Sequence, residues 1–184
     1  GALGFRGYEN PSFLSTPGAK DVGIEFYTFS KTFNMAGWRL AFAAGNEQMI
    51  EALNLIQDHL FVGIFPALQE AGIAALLDPK SEEAVAQLNA TYDSRRDAFV
   101  QAAAKIGWQA FPSRGSFYAW MPVPEGYTSE SFADLLLEKV HVAVAPGKGF
   151  GPAGDAYVRI GLLVEPERLV EAVNRIANLH LFNN

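Results

Sequence analysis

The sequence predicts an α/β protein built in two parts. Three observations carry that expectation. Apolar and aromatic runs of strand length alternate with stretches whose apolar residues recur every three or four positions. A break at Asp78-Pro79 separates two such series. With 49% hydrophobic residues over 184 positions, the chain can bury a sizeable core in one or two domains.

The first twenty residues, punctuated by Gly4, Gly7, Pro11, Pro17 and Gly18, read as irregular loop. A domain seldom starts that way, so further chain upstream is expected. Residues 24–30 and 39–44 read as strands, joined by a turn that carries Lys31, Asn34 and Gly37. Asn46 is placed to cap a helix whose apolar positions Met49, Ile50, Leu53 and Ile56 keep helical spacing. Pro66 opens the next helix, which ends near Leu77. Asp78 as N-cap, Pro79 in the first turn and the acidic pair Glu82 and Glu83 then start a long helix. Its stripe of Val85, Leu88, Tyr92, Phe99, Ala103 and Ile106 runs to Gly107, a helix-ending glycine. Residues 108–111, 116–121, 141–145 and 156–164 read as strands, and 129–139 and 166–181 as helices. The boundary falls near Asp78: the first part reads as the tail of a larger α/β layer, the second as a small α/β domain.

Composition narrows the function. Fourteen Lys and Arg against 20 Asp and Glu give a net charge of −6 with no basic run, which argues against nucleic acid or an anionic membrane as partner. The absence of cysteine removes thiolate nucleophiles and Cys-ligated metals. His59, His141 and His180 are far apart and show no metal-ligand spacing, so no metal is expected. No apolar stretch is long enough to span a bilayer and no leader pattern is visible, so a cytoplasmic protein is expected.

The most informative stretch runs from Thr28 to Arg39. Strand periodicity would put Thr28 and Ser30 on one side at the end of an apolar strand, where open α/β sheets bind ligands. Lys31 follows at once and Arg39 stands eight residues on. A hydroxyl pair with a guanidinium suits a phosphate, and an amine beside them suits covalent capture of a carbonyl. Taken alone, Lys31 would be an ordinary solvated surface charge.

Thr28, Phe29, Ser30, Lys31, Asn34, Met35, Gly37, Arg39, Leu40 and Ala41 resemble the signature of the fold-type I pyridoxal-phosphate (PLP) enzymes, specifically the class I and II aminotransferases. Thr28 departs from that signature, which usually has Ser or Gly there. Val144 to Gly147, Phe150-Gly151 and Tyr157-Val158-Arg159-Ile160 resemble the family's C-terminal block, and Gly115-Ser116-Phe117-Tyr118 resembles a stretch near the substrate. The resemblance implies that the chain is the C-terminal part of a fold-type I transferase. Residues 1–78 would be the end of the large PLP-binding domain and its sheet, and residues 79–184 the small α/β domain. It implies PLP as cofactor, Lys31 as the catalytic lysine bonded to it, and Thr28, Ser30 and Arg39 as phosphate ligands. Arg159 would clamp the carboxylate of an amino acid or keto acid substrate, and the parent enzyme would be a homodimer. The family's phosphate-binding glycine turn, ring-stacking aromatic and pyridine-pairing aspartate have no counterpart in these residues. A fragment inactive by itself is therefore expected.

Two other readings share those residues: a PLP-dependent C–S β-lyase, and the aminotransferase-like sensor domain of a transcription regulator. Two further features carry ordinary readings. Residues 149–154 fit the glycine pattern of dinucleotide sites but lead into a strand rather than a helix. His141, alone in an apolar run, reads as structural.

Overall fold

The computed structural model describes residues 2–111 and 113–182. The chain forms two compact units, residues 1–89 and 90–184. The break lies inside one helix, eleven residues beyond the Asp78 boundary read from composition.

In the first unit a 3₁₀ turn at Phe13–Ser15 and a short helix α1 (Ala19–Val22) lead into β1 (Ile24–Thr28). The hydroxyl of Ser12 donates to the Glu25 carboxylate at 2.5 Å, and the Leu14 amide donates to the same oxygen at 3.2 Å. These two bonds tie the loop to the strand and hold the Glu25 carboxyl below its ordinary pKa, the Ser12 bond contributing most. β1 pairs antiparallel with β2 (Ala41–Gly45), Ile24 opposite Gly45 and Thr28 opposite Ala41. The strand expected through residue 30 ends at Thr28, because the Thr28 side chain accepts from the Ser30 amide and turns the chain into α2 (Phe29–Thr32). The second strand likewise starts at Ala41 rather than at 39. A 3₁₀ turn at Ala36–Trp38 passes through Arg39 in the left-handed region, φ 52°, before extended backbone resumes.

Asn46 caps α3 (Glu47–Phe61) through the Met49 amide, and Pro66 opens α4 (Pro66–Leu77), both as read from the sequence. At Gly72 α4 packs tightly on its neighbours: a Cβ there would sit 2.7 Å from Leu40 Cδ2 and 3.3 Å from the Phe29 ring. The carboxylate of Asp78 accepts from the Lys80 amide, and the helix α5 (Ser81–Lys105) begins one residue beyond that turn.

α5 ends where expected. Gly107 has φ 81°, its amide donates to Ala104 and the Trp108 amide donates to Ala103, the paired bonds of a Schellman motif. Residues 108–111 form no strand. Trp108, 1% exposed, drives its ring into the core instead and donates Nε1–H to the Pro122 carbonyl.

β3 (Tyr118–Pro122), β4 (Ala145–Pro146) and β5 (Tyr157–Gly161) form an antiparallel sheet in the order β3-β5-β4. Between β3 and β4 lies α6 (Ser129–Val140), started by a capping box of Thr128 and Ser131. The strand expected over 141–145 shrinks to β4. His141 sits in the left-handed region at φ 56°, and the amides of His141 and Val142 both donate to the Leu136 carbonyl, so these residues end a helix. α7 (Pro166–Ala177) closes the unit and stops short of the expected residue 181. One sheet face, with Met121, Val158, Ile160 and Leu162, packs with Phe99, Phe132, Leu136 and Val173 into the core. No described helix is long and apolar enough to cross a membrane.

Candidate active site

The Thr28-to-Arg39 stretch lies wholly in the first unit. Phe29 is buried and stacks edgewise on Tyr27 and Phe42. Thr32 is buried under the Tyr27 hydroxyl, which donates to it at 2.9 Å. With those two side chains anchored, the intervening Ser30 and Lys31 face outward, and Lys31 is exposed. The hydroxyl of Thr28 donates to Ser30 Oγ at 2.9 Å, so the two meet through a helix cap rather than through strand alternation. Arg39, also exposed, donates Nη1–H to the Ala36 carbonyl at 3.1 Å, which turns the guanidinium back over its own loop. Arg39 lines an open cleft of about 750 Å³ together with Trp38, Phe42, Asn54 and Phe65; Thr28, Ser30 and Lys31 do not line it. The donor set on this loop comprises two hydroxyls, an amine and a guanidinium. It fits a group carrying both a phosphate and an aldehyde.

Arg159 belongs to the second unit. It sits on β5 opposite Trp120 of β3, on the face away from the core, as the alternation of Val158, Arg159 and Ile160 predicts. Its guanidinium carbon lies 4.1 Å from the Tyr118 ring centre and 4.2 Å from that of Phe150. Tyr118 and Phe150 each lie in a stretch that carried the family resemblance, but the sequence does not place either ring beside Arg159. Phe150 ends a 3₁₀ turn (Gly147–Phe150) that is followed by another (Pro152–Ala156), so the dinucleotide-like glycine pattern is loop. Its glycines have a packing role: a Cβ on Gly154 would sit 2.0 Å from the Gly147 carbonyl oxygen, and one on Gly147 would sit 2.2 Å from that of Gly154. Buried Ser129 donates to Asp155 at 2.8 Å and accepts from the Lys148 amide at 3.2 Å. Glu130, 2.7 Å from Lys148 Nζ, raises the lysine's pKa.

Among the described residues no group of acidic, histidine or cysteine side chains is placed to hold a metal ion.

These units, an aromatic-rich hairpin whose connection bears the lysine and a small antiparallel α/β unit with an outward arginine, define an α/β fold shared with a solved aminotransferase from Staphylococcus aureus, which superposes over 100% of this chain and 48% of its own with a TM-score of 0.93 at 40% identity. Apo-BacF from Bacillus subtilis superposes over 100% of this chain and 47% of its own with a TM-score of 0.93 at 45% identity. The chain belongs to the aminotransferase class I and II family, whose model matches residues 6–176. It is 59% identical over 182 residues to an L-glutamine–4-(methylsulfanyl)-2-oxobutanoate aminotransferase of Bacillus subtilis, covering 99% of this chain and 45% of the relative. It is 47% identical over 172 residues to an LL-diaminopimelate aminotransferase of Moorella thermoacetica, covering 94% of this chain and 44% of the relative. The chain thus spans a little under half the length of these curated relatives.

Proposed function

We propose that these residues serve a PLP-dependent aminotransferase, which moves an amino group between an α-amino acid and an α-keto acid. Residues 1–78 would contribute to its large PLP-binding domain and residues 79–184 would form its small domain. The observation that carries this reading is the capped turn of Thr28, Ser30 and Lys31, which sets an amine directly after a bonded hydroxyl pair.

Thr28, Ser30 and Arg39 would hold the phosphate, and Lys31 the aldehyde carbon. When bound, PLP supplies the electron sink for the α-carbon of the substrate. Lys31 Nζ would take up the proton of that carbon and give it back, acting as general base and acid in turn. Arg159 would bind the substrate carboxylate through its planar fork and so fix the orientation of the α-carbon bonds. The names of both curated relatives support amino transfer over the β-lyase and sensor readings. The name of the Bacillus subtilis relative makes glutamine the first amino donor to assay.

Borohydride reduction of the full-length, PLP-loaded protein should fix the cofactor to the peptide containing Lys31, and Lys31→Ala should lower kcat by about 10²-fold to 10⁴-fold or more. Label on Lys20 or Lys105 instead would refute the assignment.

A further inference from the structure

Arg159 differs from the other well-placed arginines of its unit. Arg95 pairs with Glu165, Arg96 with Asp93 and Asp97, and Arg175 with Glu171. Among the described residues Arg159 has no carboxylate and no hydrogen-bond acceptor; its contacts are the rings of Tyr118 and Phe150. At carbon contact distances of about 3.5–4 Å, an edge-on approach would keep the guanidinium carbon some 5 Å or more from a ring centre. Distances of 4.1 and 4.2 Å therefore put the guanidinium over both ring faces. A ring face attracts the cation through its quadrupole but leaves its charge whole, and it occupies the flat side of the guanidinium rather than its N–H rim.

Both rings are themselves fixed. Tyr118 lies on β3 opposite Gly161, which offers it no side chain, and it reaches diagonally to Arg159. It also packs on Phe117 at 4.5 Å between centres. Phe150 is carried by the loop closed by the Gly147–Gly154 crossing and by the Lys148–Ser129 and Lys148–Glu130 bonds. Trp120 meets the Phe150 ring edgewise at 5.8 Å and stacks on Tyr157.

We propose that Tyr118 and Phe150 are positioning residues: they hold the Arg159 guanidinium by its flat faces so that its N–H rim stays open for a carboxylate. The proposal rests on the carboxylate role given to Arg159 above and adds what keeps that cation oriented without neutralising it.

The test uses the full-length, PLP-loaded protein. In Phe150→Leu and Tyr118→Leu, KM for the amino acid and for the keto acid should each rise about three- to thirty-fold, with kcat changed less than about twofold. Phe150→Tyr and Tyr118→Phe keep the ring faces and should keep the original KM values. A decarboxylated amine analogue of the substrate, which has no carboxylate to place, should bind the leucine variants and the parent protein equally. Phe150 is 53% exposed, so truncating it leaves the core intact. Unchanged KM values in both leucine variants, or equal damage from the ring-keeping substitutions, would overturn the proposal. Arg159→Lys separates the two levels. If it raises KM while the leucine variants do not, the positioning role fails and the carboxylate role stands; if it leaves KM unchanged, the carboxylate role fails and takes the proposal with it.

Discussion

Thr28 serves two ends with one hydroxyl: it caps α2 through the Ser30 amide and donates to the Ser30 hydroxyl. Thr28→Val should therefore cost about 1 kcal/mol of stability in thermal unfolding and weaken PLP binding in a titration, whereas Thr28→Ser should do neither. The residue type and order were legible here, because Thr, Ser and Lys in succession suggest a phosphate and a carbonyl whatever the backbone does. The geometry was not: alternation along a strand would also bring Thr28 and Ser30 together, and only the cap bond shows which way it happens. Glu25 gives a test in pH. Its folded-state pKa is depressed, so its contribution to stability is present above the unfolded carboxyl's pKa and is lost as pH falls through the lower folded value. Glu25→Gln should leave a stability profile that falls less steeply below about pH 4.3 than that of the parent, measured by denaturant melts across that range.

Several helix ends were legible in the sequence because their causes are local, although α7 stops at Ala177 rather than at 181. Asn46 bonds the Met49 amide, Pro66 needs no donor in the first turn, and Gly107 enters the left-handed region where a side chain would be strained. Gly107→Ala should destabilise the protein by about 1–2 kcal/mol, seen as a lower urea midpoint at unchanged slope. Strands were read less well, since a run such as 108–111 or 141–145 extends only if a neighbour offers a ladder. In the first case the Trp108 ring takes the core and its N–H takes the carbonyl; in the second the left-handed His141 has already turned the chain. The members of the arginine–aromatic cluster lie in stretches that the resemblance singled out, but their meeting was not legible. Period two puts Arg159 on the face opposite Val158 and Ile160; that Tyr118 shares that face depends on the β3–β5 register, and Phe150 arrives from a loop whose path no periodicity reports.

At the scale of the molecule, the first unit leaves a large apolar area uncovered. No described residue of α3 is fully buried, and Leu60, Phe61, Val62 and Phe65 are each at least 65% exposed. Surfaces of that kind associate. Residues 1–184 expressed alone should sediment as oligomers and show no transamination; a monodisperse, active monomer would contradict both expectations. The crossing of Gly147 and Gly154 has its own bearing on how such a protein tolerates variation. Neither residue has a side chain with which to touch a ligand, yet at each a single methyl group would collide with the other's backbone. The collision would push the Phe150 loop off the arginine. In a library of random substitutions, these two silent positions should score like members of the active site, depleted as strongly as Arg159 itself, while Gly149 between them, with open space around its missing Cβ, should accept almost anything. Ranking positions by what their side chains do would miss them, because their contribution is the room they leave.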